Sequence, residues 1–462
     1  MGSTAGSRHV ILKTTYGFGL QWLMPVVSID GAVRLGKPES ATQRRMPVAA
    51  GSCLFLILMY CTATVFVRSA WALQSFQIGI FGLVAVILFL HLGREREAVA
   101  VGWEPWLLYL IPVWGLVQLL AHTTASTFET RQVLLRWGAL VGVFYLTLVI
   151  ARTRQARRVL LSAFLIFATA MAILCLTQMN TSEGKVVWAF STGNSYVYGT
   201  FPSYNSYAQF IELALPIALW RALREGWRSW WYGICGGILY GSAIGSASRA
   251  GAALCTVELL VILGMGFARL RRPPAPENSP VPAPRSALRS SPRFPQIDAT
   301  ILIAVPAFAI LFTSLVGWQR VILRFQQNDK YLVRREYMEA AVDMARQKPL
   351  VGYGLGTFPE VYQQFAVKDF PFYANHVHND WAEFAAEGGM PLFLLVLIPC
   401  VSAVPVAIRH PWGLGLVATM LHACVDFPFP RPAVSVWMFM LMALLYATRA
   451  SDREHESHQI HK

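Results

Sequence analysis

About twelve stretches of the chain are apolar along almost their whole length, at 48–67, 70–92, 106–120, 133–150, 159–177, 207–223, 231–247, 250–270, 299–317, 389–408, 412–425 and 433–447. No other feature narrows the fold as much, because a bilayer core about 30 Å thick takes about 20 apolar residues of helix, and somewhat fewer where neighbouring helices cover the ends. Composition agrees: 55% of the 462 residues are hydrophobic and 14% are charged, against roughly 25% charged in soluble domains. The sequence lacks the alternating ten-residue segments of a barrel, so the spans read as helices. The expected architecture is an all-α polytopic membrane protein of about twelve transmembrane helices, with a large extracytoplasmic loop before the tenth.

The formal net charge of +14 would suggest nucleic acid in a soluble protein. In a membrane protein the same excess of Lys and Arg marks cytoplasmic loops, so the bilayer and not nucleic acid is the expected partner. Arg44 and Arg45, Arg94 and Arg96, the ARTRQARR run at 151–158, Arg221, Arg224 and Arg228, and RLRR at 269–272 flank every second span and so share one face. With that face cytoplasmic, residues 1–47 read as a cytoplasmic tail with an interfacial stretch at 16–29, and 48–270 as helices 1–8. The Pro- and Ser-rich 271–298 reads as a disordered cytoplasmic linker, 299–317 as helix 9, 389–449 as helices 10–12 and 450–462 as a cytoplasmic tail. No removable leader is expected, since the first strong apolar run begins near residue 48 and more spans follow it. The seven cysteines lie in or beside apolar stretches without paired spacing and read as small core residues.

Two polar segments fall on the opposite face, 178–206 and the much longer 318–388. The longer one is where chemistry is expected. It holds an amphipathic helix at 334–347, with Met338, Ala341, Val342 and Ala345 on its apolar face and Pro349 beyond its end. GYGLGTF at 352–358 lacks the strand-to-helix setting of a nucleotide-binding turn and reads as a tight turn packing the loop down. NHVHND at 375–380 fits an H-x-H-x-D metal spacing, but the ligands such a site also needs are wanting on that side, where the nearest carboxylates are Glu383 and Glu387 and His422 falls inside a span. No metal or other cofactor is therefore expected. A neutral imidazole there can instead accept a proton near pH 7.

Arginines gather on the same face. Arg249 lies in SASRAG, at the mouth between two spans, where an unpaired guanidinium is costly. Arg320, Arg324, Arg334 and Arg335 precede or begin the loop helix. With few acids opposing them, such groups suit a diphosphate held bidentately.

Several ordered pieces of the C-terminal sixty per cent resemble the O-antigen ligase and polymerase superfamily of bacterial membrane glycosyltransferases. They are GTFPSYNSYAQFIELALPIAL (199–219), SRAG (248–251), an arginine with a short helix before KPLVGYGLGTF (348–358), HVHNDWAEFAAEGG (376–389) and LHACVDFPFPRP (421–432). Met338 and Leu392 depart from the usual tryptophan and glycine, and the first five spans match nothing in particular. The resemblance implies glycan transfer on the periplasmic side of the bacterial inner membrane, from an undecaprenyl-diphosphate-linked donor to lipid A-core or another glycan acceptor, without nucleotide sugar or metal. It implies His378 as the catalytic base, His376, Asn379 and Asp380 as groups positioning the acceptor or the loop, and Arg249 and Arg334, with Arg335 and Arg320 beside them, as the diphosphate site. A repeat-unit polymerase and a protein O-oligosaccharyltransferase share that core. A twelve-helix transporter is the reading from another class, disfavoured by spans nearly free of charge except at Glu212 and Glu258 and by the lack of an internal repeat.

Overall fold

The computed structural model describes residues 41–92, 101–191, 197–224, 229–270, 299–316, 331–368 and 373–460. The interfacial stretch at 16–29, the 271–298 linker and Arg320 lie outside them. Every predicted span carries helix: α1 (Ala41–Ala63), α2 (Ala70–His91), a 3-10 turn (Glu104–Tyr109) running into α3 (Leu110–Leu120), α4 (Thr127–Ile150), α5 (Arg154–Thr181), α6 (Tyr204–Ala222), α7 (Ser229–Gly245), α8 (Arg249–Leu270) and α9 (Ala299–Val316). The loop region supplies α10 (Tyr331–Gln347) and the short α11 (Phe358–Tyr362), and the chain returns through α12 (Asp380–Arg409), α13 (Leu414–His422) and α14 (Pro432–Ile460). A two-residue-per-strand hairpin, Lys185–Val186 with Phe190–Ser191, follows α5.

Six of these helices are long and apolar enough to cross a bilayer among the described residues: α2, α4, α5, α8, α12 and α14. The others are shorter or less apolar, and several are enclosed. α6 is buried at nearly every position and α14 along most of its length, as expected of helices apolar all round. Trp437 of α14 is the hub: its indole stacks on Phe164 at 4.5 Å, meets Phe55, Phe167 and Phe210 at wider angles, and donates from Nε1 to Thr62 Oγ1 at 2.8 Å.

Three boundaries differ from the sequence reading. The tenth span was expected from 389, but its helix starts at Asp380 and breaks at Gly389, whose φ of 67° and ψ of −171° only glycine adopts readily. A Cβ there would lie 2.7 Å from the Leu350 carbonyl carbon, so the break seats the loop directly on the span. The expected tail from 450 is helical to Ile460, helped by a 2.9 Å contact of Asp452 with His410. The buried stripe of α10 is Tyr337, Ala340, Ala341 and Met344, one residue back from the expected 338, 341, 342 and 345. Tyr337 decides this, since its ring packs edge-on against Phe358 and Tyr362 and outweighs the smaller apolar side chains.

Arg221, at the end of α6, donates to Ser162 Oγ at 2.8 Å and to the Arg158 carbonyl at 3.1 Å near the start of α5. The other end of α6, about 28 Å away along the 19-residue helix, borders a cavity through Tyr204 and Asn205.

Candidate functional site

Three acids on the first turns of α12, Asp380, Glu383 and Glu387, recur at helical spacing and so share a face. Each receives hydrogen bonds from a different loop. Asp380 Oδ2 accepts from Phe429 N at 3.0 Å, while its own N–H donates to the Ala423 carbonyl at 2.9 Å. Glu383 accepts from Val377 N at 2.9 Å and pairs with His376 Nδ1 at 2.8 Å. Glu387 accepts from Gly356 N at 2.7 Å and Phe358 N at 3.1 Å. The glycine run thus does cradle an oxygen-bearing group, and that group is the protein's own Glu387 carboxyl. Gly352, Gly354 and Gly356 all have positive φ, the geometry that turns successive N–H groups inward. The far side of this loop is tied to α3 by Gln118, whose Nε2 donates to the Val351 and Glu387 carbonyls and whose Oε1 accepts from Leu355 N.

His378 sits at the tip of the pinned segment with φ 60°, a left-handed conformation that costs a non-glycine residue about 1–2 kcal/mol. Its Nδ1 lies 3.0 Å from Asp426 Oδ1, and Asp426 Oδ2 accepts from Gln209 Nε2 at 3.0 Å. Burial pushes the Asp426 carboxyl up, but the His378 hydrogen bond and the cationic groups around it outweigh this and hold it below its ordinary value. An ionised Asp426 can only accept, so Nδ1 of His378 carries a hydrogen, and in the neutral imidazole Nε2 then keeps its lone pair. Phe427 lies between the two histidines of the motif, stacked on His376 at 4.4 Å and edge-on to His378 at 4.8 Å. Each imidazole therefore has its own carboxylate. Among the described residues no group of three or more His, Cys, Asp or Glu side chains could share a metal ion.

The opposite wall comes from the bundle. Ser248 Oγ accepts from Gly251 N at 3.2 Å, capping the start of α8, and donates to Asn205 Oδ1 at 2.8 Å. Gly251 is required by close approach, because a Cβ would stand 2.4 Å from that of Ala208 on α6. Together these place Arg249 in the first turn of α8, half-buried at the mouth. Arg334 Nη1 donates to the Val425 carbonyl at 3.3 Å from across the opening. A cavity of about 740 Å³ between the walls is lined by Arg249, Arg334, Arg335, His378, Asn379 and His422, among others.

Five of the sequence-selected residues thus converge on one space. Two do not: His376 is turned to Glu383, and Asp380 is fully buried behind the loop. Asn379 lines the cavity and also caps α12, its Oδ1 accepting from Ala382 N at 3.1 Å. Arg335 is mostly exposed and pairs with Glu339 at 2.7 Å. Sequence reasoning missed the roles of Asp426, Glu383, Glu387 and the His422–Glu212 pair. The signal for the last was present, since an ionisable residue inside a span is a functional hypothesis by default.

Residues 234–397 match the family model described as O-antigen ligase, a stretch that includes Arg249, Arg334 and His378 and stops before His422 and Asp426. The resemblance to the O-antigen ligase superfamily is supported over that stretch. No curated protein matches the chain at a significant level.

Proposed function

We propose that this chain, whose residues 234–397 match the family model described as O-antigen ligase, transfers a glycan from undecaprenyl diphosphate to an acceptor hydroxyl on the periplasmic side of the bacterial inner membrane. One observation carries the reading: two arginines from separate elements and a histidine oriented by a carboxylate face a single cavity at one end of the helical bundle. Arg249 and Arg334 hold the diphosphate, where guanidinium forks match phosphate oxygens and stabilise charge growing on the leaving group. Nε2 of His378 takes the proton of the acceptor hydroxyl as its oxygen bonds to the anomeric carbon. The bond from that carbon to the phosphate oxygen breaks, and undecaprenyl diphosphate leaves with the electron pair. Asp426 keeps the imidazole in the tautomer this needs. Transfer to lipid A-core, as a ligase, is the preferred acceptor reaction. Joining repeat units, as a polymerase, uses the same donor chemistry.

The reading is tested with the purified protein, a lipid-linked glycan and candidate acceptors in the presence of EDTA. Transfer to lipid A-core with release of undecaprenyl diphosphate is expected. Elongation of the donor glycan alone would favour the polymerase, and activity that vanishes with EDTA and returns with zinc would overturn the metal-independent mechanism.

A further inference from the structure

His422 is a second histidine on the cavity wall, and it lies beyond the stretch the family model matches. Its Nδ1 lies 2.6 Å from Glu212 Oε1, and neither side chain is exposed at all. The pair joins α13 to α6, where Gly415 lets the two backbones meet; a Cβ there would stand 2.2 Å from the Glu212 carbonyl oxygen. The second imidazole nitrogen, Nε2, is buried without a hydrogen-bond partner, as is the second Glu212 oxygen. Buried polar groups nearly always find partners, so an orphan on a cavity wall is the mark of a place kept for a ligand.

Electrostatics fixes what that nitrogen offers. A fully enclosed pair is far less costly when it is neutral overall than when it carries net charge. Two neutral arrangements leave no buried O–H orphaned on the unpartnered Glu212 oxygen: imidazolium with carboxylate, and imidazole with carboxylic acid hydrogen-bonded to Nδ1. In both, Nε2 carries a hydrogen. The charged groups facing this one are Glu212 from α6, Asp426 from the following loop and Arg334, which donates to the carbonyl of Val425 three residues on. A donor beside two guanidinium groups is complementary to an anion, whereas the acceptor hydroxyl must meet the lone pair of His378.

We propose that His422, held by Glu212, donates from Nε2 to a phosphate oxygen of the bound lipid diphosphate and so completes the site begun by Arg249 and Arg334. The assignment rests on the donor reading above. It makes His422 a substrate-contacting residue and Glu212 its positioning partner.

Binding of undecaprenyl diphosphate to the purified full-length protein tests it, with wild type, His422→Asn, His422→Gln and Glu212→Gln compared at matched folded fractions. The Asn amide can face Glu212 but cannot reach the place of Nε2, while the Gln amide can. Affinity should fall about tenfold or more in His422→Asn and recover largely in His422→Gln. Inorganic pyrophosphate should compete for the site and lose affinity in parallel, which separates a phosphate contact from one to the prenyl chain. A purely structural histidine would lower thermal stability in both variants and leave undecaprenyl diphosphate affinity unchanged, and that outcome overturns the assignment while the transferase reading stands. Absence of undecaprenyl diphosphate binding by folded wild type overturns both. Unchanged pyrophosphate competition in His422→Asn, with lipid affinity reduced, overturns the phosphate contact.

Discussion

The two walls of the cavity are built on opposite principles. On the bundle wall, α6, α8 and α13 approach through glycines, Gly251 against Ala208 and Gly415 against the Glu212 carbonyl, and His422 with Glu212 is a buried polar pair between α6 and α13. On the loop wall a small apolar cluster, with Tyr337, Met344, Phe358 and Tyr362 among its members, is joined by polar tethers. Carboxylates grip backbone N–H groups there: Glu336 takes those of Val367 and Lys368, Glu383 that of Val377, Glu387 those of Gly356 and Phe358, and Asp380 that of Phe429. The difference teaches that the loop is an attachment whose position is specified by a few carboxyl-to-backbone tethers added to a small apolar cluster, while the bundle is specified by volume. His378 belongs to the first and His422 to the second, which fits the 31% exposure of the His378 side chain and the absence of any exposure at His422.

If the loop wall holds the reacting group, His378→Ala should lower turnover by about a hundredfold or more with donor binding and thermal stability nearly unchanged. Asp426→Asn, which releases the tautomer without removing the base, should cost less than this. Steady-state transfer assays on both variants decide it, and an active His378→Ala protein would leave the loop wall without chemistry. The tether idea is sharpened at Glu387. Glu387→Ala orphans two buried N–H groups at about 1–3 kcal/mol each, so proteolysis within 348–358 should speed up several-fold while the melting of the bundle stays put. Loss of the whole bundle instead would show that the two walls are one cooperative unit. The smallest effect concerns acid. Because the Asp426 carboxyl is held below its ordinary value of 3.8, its contribution to stability is complete above that value and is lost only as pH falls through the lower folded-state value. The stability difference between wild type and Asp426→Asn should narrow in strong acid, as melting curves can show.

What the sequence disclosed follows the same division. Helices were legible because apolar length alone demands them, and Arg249, Arg334 and His378 stood out as polar residues on a predicted face. The tethers were not legible. Glu387 in EFAAEGG looks like any acid near a helix end, and only the folded chain brings it 31 residues back to Gly356 and 29 back to Phe358. GYGLGTF was read as a tight packing turn, and its positive-φ glycines bear that out. What it packs around could not be read, because the partner is distant in sequence. His422 was set aside as a histidine within a span, although Glu212, noted as a rare charge in its own span, was its partner all along.

That partnership has a consequence for how the protein is made. Glu212 and His422 are separated by 210 residues, which a ribosome at about 5–20 residues per second takes roughly 10–40 s to add. For that interval α6 sits in or beside the bilayer with a carboxyl group whose eventual partner does not yet exist. The insertion machinery must therefore shelter one polar side chain until nearly the last helix arrives, and closure of the cavity wall is among the final events of biogenesis.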